Sequence, residues 1–446
     1  MNTIWLLYFV LIGAVTGSFL NVVIYRLPRG QSIVFPGSHC PACGRAIRWY
    51  DNIPLVSWFV LAGRCRRCGS PISHRYIVIE AATTIRMAGL FACYYVLGLR
   101  SGVGPFMESW PMFLAHAILL CGLLACAVID TENFFIPVEI TWVCSVIGVA
   151  SAAFRPHAFM PQVSPTTAAA GLAALAGLAI AALLVRWGFI QPSFMDAEEP
   201  QQPPPGGGPK ADKAANGEGP QADRPAAGKP SRRVPRPRGP LGTAVSMLVG
   251  TISAALLGYV PDGDQPSVDA NAVAITAEHG VRPRREILRE VLFLLPAIFL
   301  AVAVAAVFKL VPSVSAAWGG LFQPDKHPLL APRLVGLGSA LVGFLIGGLW
   351  IWGTRILFTL LFNKEAMGMG DVHIFAAVGA VTGWIVPSLA FFVAPVIALG
   401  WAIYLWVGKK QMVLAYGPWL AAGAIFAMIF YDHLIAHVQP LFVVAY

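Results

Sequence analysis

The chain has 446 residues, of which 57% are hydrophobic and only 12% charged, with a formal net charge of +9. An average soluble domain carries about 25% charged residues, so the composition excludes an ordinary soluble enzyme. Apolar runs of roughly 20 residues, the length that crosses bilayer hydrocarbon as a helix, recur along most of the chain. They are rich in Ala, Leu and Gly and do not alternate with polar residues, which excludes a membrane β-barrel.

The first segment, Asn2 to Val23, lacks a basic start and has too long an apolar stretch for a signal peptide, so it reads as an uncleaved span. In chain order the predicted spans are 4–24, 77–99, 111–130, 137–154, 166–190, 287–311, 333–362, 372–389, 390–407 and 413–431. The loop 25–76 holds Arg26, Arg29, Arg45, Arg48, Arg64, Arg66, Arg67 and Arg75 against the single acid Asp51, which places it in the cytoplasm and the N-terminus outside. Counting forward, Asp130 and Asp371 fall on the same, cytoplasmic side, as do Lys409 and Lys410.

That parity requires the run 241–260 to be interfacial or re-entrant. Residues 192–240, with Gln201–Gln202–Pro203–Pro204–Pro205–Gly206, are too polar and Pro/Gly-rich to offset the entropy of ordering, and are expected to be a disordered cytoplasmic loop.

Four of the eight cysteines form two CxxC-Gly knuckles, Cys40–Pro41–Ala42–Cys43–Gly44 and Cys65–Arg66–Arg67–Cys68–Gly69, with 21 residues between them. Such turns let four thiolates converge tetrahedrally on one ion, the pattern of a structural zinc ribbon. Paired disulfides fit less well in a reducing cytoplasm, and a redox motif does not explain two matched pairs. The charge of about −2 on a four-thiolate zinc site can be offset by Arg45, Arg64, Arg66 and Arg67. Cys93, Cys121, Cys126 and Cys144 lie within spans and read as packing residues.

An acid at membrane depth is costly and marks a functional site by default. Asp130 ends an apolar run, and Asp371 opens another after Gly368–Met369–Gly370, where Gly368 and Gly370 let a backbone approach a substrate strand closely. Two carboxylates brought together share a proton, so one can activate water while the other protonates a scissile carbonyl. That is aspartyl protease chemistry. The competing reading makes both acids helix-end residues in interfacial water. Glu80, Arg86, His116, Arg186, Lys309, Arg355 and His373 read as snorkelling side chains, caps or bundle-interior partners.

These motifs together resemble the prepilin peptidases, or type IV leader peptidases, a GxGD-type membrane aspartyl protease family. Gly17–Ser18–Phe19–Leu20–Asn21 to Arg26–Leu27–Pro28 resembles the family's opening, and the two knuckles follow around Asp51–Asn52–Ile53–Pro54 and before Ile72–Ser73–His74–Arg75–Tyr76. Asp130 with Ile136–Pro137 is similar to the segment of the first catalytic Asp. Lys364–Glu365 through Gly368–Met369–Gly370–Asp371 is similar to the GxGD segment of the second, and Tyr416–Gly417–Pro418–Trp419 to a late Gly-Pro element. Val138 and His373 stand where the family usually has an acid and a Lys.

The resemblance implies an all-α polytopic membrane protein, a bundle of about eight core transmembrane helices plus about two in an insertion, with a small cytoplasmic zinc-ribbon domain. An insertion that preserves the site must add an even number of crossings. The domains read as 1–24 (first helix), 25–76 (four-cysteine zinc-binding domain), 77–154 (membrane part with Asp130), 155–332 (insertion) and 333–446 (membrane part with the GxGD motif).

The implied activity is cleavage of basic leaders from prepilins and pseudopilins at the cytoplasmic face of the bacterial inner (plasma) membrane. The implied catalytic pair is Asp130 and Asp371, with Gly368 and Gly370 binding substrate and structural Zn²⁺ on Cys40, Cys43, Cys65 and Cys68. In many members the newly exposed residue is also N-methylated from S-adenosylmethionine. The expected partners are the pilin-like substrates and the lipid bilayer, and nucleic acid is not among them. The rival classes are a proton-coupled transporter, which would show inverted repeats, and an inactive assembly scaffold, which gives no reason for the GxGD segment.

Overall fold

The computed structural model describes residues 2–154, 160–191, 193, 283–365, 367–409 and 415–443. The predicted disordered loop 192–240 (its residue 193 apart), the run 241–260 and Lys410 lie outside the described residues. The described part is helical, and its only β-pairings are the isolated bridges His39–Ala46 and Arg64–Pro71.

The long helices are α1 (Asn2–Arg26), α2 (His74–Phe91), α3 (Phe106–Asn133), α4 (Val138–Phe154), α5 (Pro165–Arg186), α6 (Pro283–Leu310), α7 (Leu330–Phe362), α8 (Met369–Thr382), α9 (Ile385–Lys409), α10 (Gly417–Ile429) and α11 (Tyr431–Val443). Seven of the described helices are long and apolar enough to cross a membrane. α4 and α8 are shorter apolar helices, and α10 and α11 form a pair bent by 82°.

The boundaries move where local chemistry overrides apolar continuity. The expected spans 372–389 and 390–407 become α8 and α9, because Gly383 takes a left-handed φ of 77° and ends α8 at Thr382. α3 begins five residues earlier than expected, at Phe106, with Pro105 before it and Pro111 accommodated inside. α5 and α6 are the long apolar helices of the described part of the 155–332 insertion, and they pack along each other.

Burial divides the bundle. Every residue of α8 from Asp371 to Thr382 is buried, and α3 is likewise central, whereas α6 presents Leu288, Leu292, Leu295, Ile298 and Phe299 outward. Close backbone approach places α8. A Cβ at Gly347 would lie 2.1 Å from the Phe375 carbonyl oxygen of α8, and one at Gly379 would lie 1.9 Å from the Gly343 carbonyl oxygen of α7. The small-xxx-small face Gly343–Gly347 lets the two backbones touch, as apolar helices do when dispersion rather than water expulsion holds them. α3 and α8, the two central helices, are the ones that carry Asp130 and Asp371.

Candidate active site and metal centre

Asp130 lies one turn before the end of α3, where Phe134 adopts φ 51° and closes the helix by donating its N–H to the Asp130 carbonyl. The chain then turns through Ile136–Pro137 into α4. Gly417 opens α10, and its N–H donates to Asp130 Oδ2 at 3.0 Å, so the carboxylate sits at a helix N-terminus, where backbone dipoles favour an anion. A Cβ on Gly417 would stand 2.7 Å from that oxygen, so any larger residue there would displace the carboxylate or the start of α10.

Asp371 occupies the first turn of α8, after Gly368 as N-cap, and its N–H donates to the Gly368 carbonyl at 3.3 Å. Both carboxylates are buried, at 7% and 6% exposure, and lie near enough for the charge of Asp130 to act on Asp371. Ile136 is the wedge between the two elements. A Cβ on Gly370 would be 2.7 Å from Ile136 Cβ, and one on Gly417 would be 3.4 Å from Ile136 Cδ1. Gly370 thus admits the Ile136 side chain, while Gly368 is exposed and has open space beside its Cα.

Arg355, from α7, reaches the same loop. Its Nη1 donates to Glu365 Oε1 at 2.9 Å and to the Met367 carbonyl, and its charge acts on Asp371. Other polar residues of the spans fit bundle-interior or cap roles. His116 Nδ1 pairs with Tyr94 Oη at 2.9 Å, Glu80 accepts the Leu55 N–H at 2.7 Å, and Arg186 and Lys309 stand in last helical turns.

The ribbon is built from two matched turns. In the first, Cys40 N–H donates to Arg45 O at 2.9 Å and Gly44 N–H to Cys40 O at 2.8 Å; in the second, Cys65 N–H donates to Ser70 O at 2.8 Å and Gly69 N–H to Cys65 O at 2.9 Å. Gly44 and Gly69 take φ 68° and 67°. None of the four cysteines is in a disulfide, and their Sγ atoms all lie within 4.8 Å of one another. Cys40 Sγ and Cys68 Sγ are 3.8 Å apart. Zn–S bonds of about 2.3 Å in a tetrahedron require sulfur separations of about 3.8 Å, so the donor set fits one such ion.

Proton affinities within the cluster diverge. The Cys68 and Arg67 N–H groups pull the Cys65 thiol down to about 6. The Ser70 N–H pulls Cys68 the same way, but desolvation and the neighbouring thiols outweigh it and push Cys68 up to about 11. Arg66 is held by Asp51 through bonds of 2.9, 3.0 and 2.7 Å. It therefore spends its charge on Asp51 rather than wholly on the thiolates.

The cysteine segment is tied to α2 by the Leu55 N–H on Glu80, and the start of α2 is tied to α3 beside Asp130. Arg75 Nη1 pairs with Glu132 at 2.7 Å, two residues past Asp130. Glu132, Gly417 as a donor and the Glu290–Arg355 pair are the participants that sequence reasoning did not assign; only Arg355 and the Gly417–Pro418 element stood out in the sequence.

Residues 11–94, comprising most of α1, the cysteine segment, α2 and the three residues after it, match the family model of the bacterial peptidase A24 N-terminal domain. The chain is similar to prepilin leader peptidases. It is 42% identical over 142 residues to the prepilin leader peptidase/N-methyltransferase of Myxococcus xanthus (strain DK1622), covering 32% of this chain and 38% of that protein. It is 39% identical over 144 residues to the Klebsiella pneumoniae protein of the same name, covering 31% and 58%. It is 38% identical over 143 residues to the type 4 prepilin-like proteins leader peptide-processing enzyme of Escherichia coli O78:H11, covering 28% and 48%. The matches thus span 38% to 58% of these relatives. No solved structure matches.

Proposed function

We propose that this protein is a prepilin leader peptidase that cuts basic leaders from pilin-like precursors by a two-carboxylate mechanism. The observation that carries the reading is the wedge at Ile136, which brings Gly370, next to Asp371, and Gly417, bonded to Asp130, against one side chain. Motifs distant in sequence meet there at two buried acids.

In this reading Asp130 and Asp371 share one proton in the resting enzyme. The ionised carboxylate takes a proton from a water, whose oxygen attacks the scissile carbonyl while the protonated partner gives its proton to the carbonyl oxygen. Collapse of the resulting gem-diol moves a proton to the leaving nitrogen and returns the pair to its starting state. The pair acts as a unit, so neither residue is assigned the base. The exposed Gly368 supplies the edge along which a substrate strand lies, and Gly370 keeps Ile136 seated beside Asp371.

The same reading takes 25–76 as a cytoplasmic four-cysteine domain with zinc on Cys40, Cys43, Cys65 and Cys68, and 77–154 with 333–446 as the catalytic membrane core. Eight Arg against Asp51 in the first loop support a cytoplasmic site face in a multi-pass protein of the bacterial inner membrane. N-methylation enters through the relatives' names alone. The cleft of about 420 Å³ beside α3 and α10 has Arg86 as its one charged lining residue among apolar side chains, and a ribose or an amino-acid head finds no partner set there.

The test is cleavage of a prepilin-like substrate in membranes carrying wild type or Asp371→Asn, with the product's N-terminus read by mass spectrometry. Cleavage by wild type alone supports the peptidase, and an added methyl mass reports the second activity. A folded wild type inert on several leaders overturns the reading.

A further inference from the structure

α6 belongs to the insertion, outside every motif the proposed function uses, and most of its surface faces outward. A carboxylate on such a helix is expensive at membrane depth unless it is partnered. Glu290 is buried at 2% exposure, and both its oxygens are engaged: Oε1 accepts from Arg355 Nε at 3.0 Å, and Oε2 accepts from Trp352 Nε1 at 2.9 Å. Both donors lie on α7, one turn apart.

Arg355 is itself buried at 2% exposure and is shared between two tasks. Its Nε faces Glu290, while its Nη1 donates to the Met367 carbonyl and to Glu365. A guanidinium is a rigid planar fork, so anchoring one edge sets the direction of the other. Met367 immediately precedes Gly368–Met369–Gly370–Asp371, and α7 ends before this loop at Asn363 with a left-handed φ of 52°. The loop's backbone is thus held from the α7 side by a side chain whose orientation is set from α6.

We propose that Glu290 is a positioning residue for Asp371: from the insertion, it fixes the Arg355 guanidinium that holds the start of the glycine turn carrying the carboxylate. The insertion is then part of the site's scaffold. A loop free to shift by about 1 Å misplaces the reacting group enough to cost about 10²-fold in rate.

The activity arm of this inference rests on the peptidase reading, so the test pairs it with a readout that does not. Full-length wild type, Glu290→Gln, Arg355→Met and the double variant are compared in lipid nanodiscs for kcat and KM on a prepilin-like peptide, and for amide hydrogen exchange of the segment 363–371. Glu290→Gln is expected to lower kcat about 10²-fold with KM within about twofold, and to speed exchange in 363–371. The double variant is expected to be no slower than Arg355→Met alone, because Glu290 acts through Arg355. Wild-type kcat and unchanged loop exchange in folded Glu290→Gln overturn the proposal, as do additive losses with exchange faster in α6 and unchanged in the loop. Should Glu290→Gln not fold, the pair Glu290→Met with Arg355→Met removes both buried charges at similar volume. Cleavage and loop exchange in that folded variant equal to those of Arg355→Met alone support the proposal, and wild-type values or a loss beyond that of Arg355→Met overturn it. If the wild type cleaves no leader, the peptidase reading fails while the exchange comparison still decides this one.

Discussion

The Gly417 N–H donates to Asp130 Oδ2 at 3.0 Å, joining positions 287 residues apart where α3 approaches its end and α10 begins. One oxygen of the carboxylate is thereby fixed at a helix N-terminus. A residue that merely capped α10 would need an acceptor there and nothing more. A catalytic acid would also need to ionise. Asparagine separates the two roles, because its amide oxygen still accepts from Gly417 while the group no longer titrates. Asp130→Asn is expected to keep its thermal midpoint close to wild type and to lose at least about 10²-fold in leader cleavage. Unfolding followed by fluorescence-detected size exclusion, alongside the cleavage assay, checks both; cleavage near wild type would reduce Asp130 to a cap.

Gly417→Ala tests the same contact from the other side. The added methyl would lie 2.7 Å from Asp130 Oδ2 and 3.4 Å from Ile136 Cδ1, so the carboxylate or the start of α10 must shift. Overpacking of this kind costs about 1–3 kcal/mol, and the displaced carboxylate should lower kcat by about 10²-fold. Gly400→Ala, where nothing lies near the added methyl, is the matched control and should leave both quantities unchanged.

What could be read in the sequence was local, and what could not was pairwise. The CxxC-Gly turns, the Ile-Pro after Asp130 and the Gly-Met-Gly before Asp371 each fall within a few residues, so the chemistry they prepare is visible in one dimension. The break at Gly383 is not legible in the sequence, because Val381–Thr382–Gly383–Trp384 carries no charge to interrupt the apolar run, and the left-handed φ of 77° at Gly383 is what ends the helix. Arg355 drew notice as a charge in a span, but its partner stands 65 residues earlier in the insertion, beyond any helical periodicity. Gly370 reads in the sequence as a glycine for substrate approach, and that Ile136 lies against it is a pairing that sequence spacing alone could not supply.

The α7–α8 crossing makes a second mutational prediction. A Cβ at Gly379 would stand 1.9 Å from the Gly343 carbonyl oxygen, a contact with rigid backbone that no rotamer change relieves. Gly379→Ala should therefore separate the helices and destabilise the bundle by at least about 1–3 kcal/mol. Because α8 carries Asp371 at its opposite end, activity should fall along with stability. Gly353→Ala, on an open face of α7, should do neither. A thermal midpoint for Gly379→Ala equal to wild type would contradict the close crossing.

The proposed zinc site gives the prediction with a pH sign. Without a cation the two thiols of the second knuckle do not ionise together: Cys65 is drawn down to about 6, while Cys68 is pushed up to about 11 by desolvation and by its thiol neighbours against the pull of the Ser70 N–H. A divalent ion bound by four thiolates must displace the remaining protons. At neutral pH Cys65 is already largely ionised and contributes few, whereas Cys68 gives up a full proton. Affinity should therefore fall as pH drops, most steeply as Cys65 also begins to protonate near pH 6. Purified wild type is expected to hold about one zinc per chain by elemental analysis, to retain it against a chelator at pH 8 and to release it faster near pH 6. Cys40→Ser with Cys68→Ser should abolish the zinc, and Cys93→Ser should leave it in place. Since Leu55 bonds to Glu80 of α2, and Arg75 at the start of α2 pairs with Glu132 two residues past Asp130, zinc loss should also slow cleavage without unfolding the helices. Full metal content in the double serine variant would overturn the assignment of these four cysteines as its ligands.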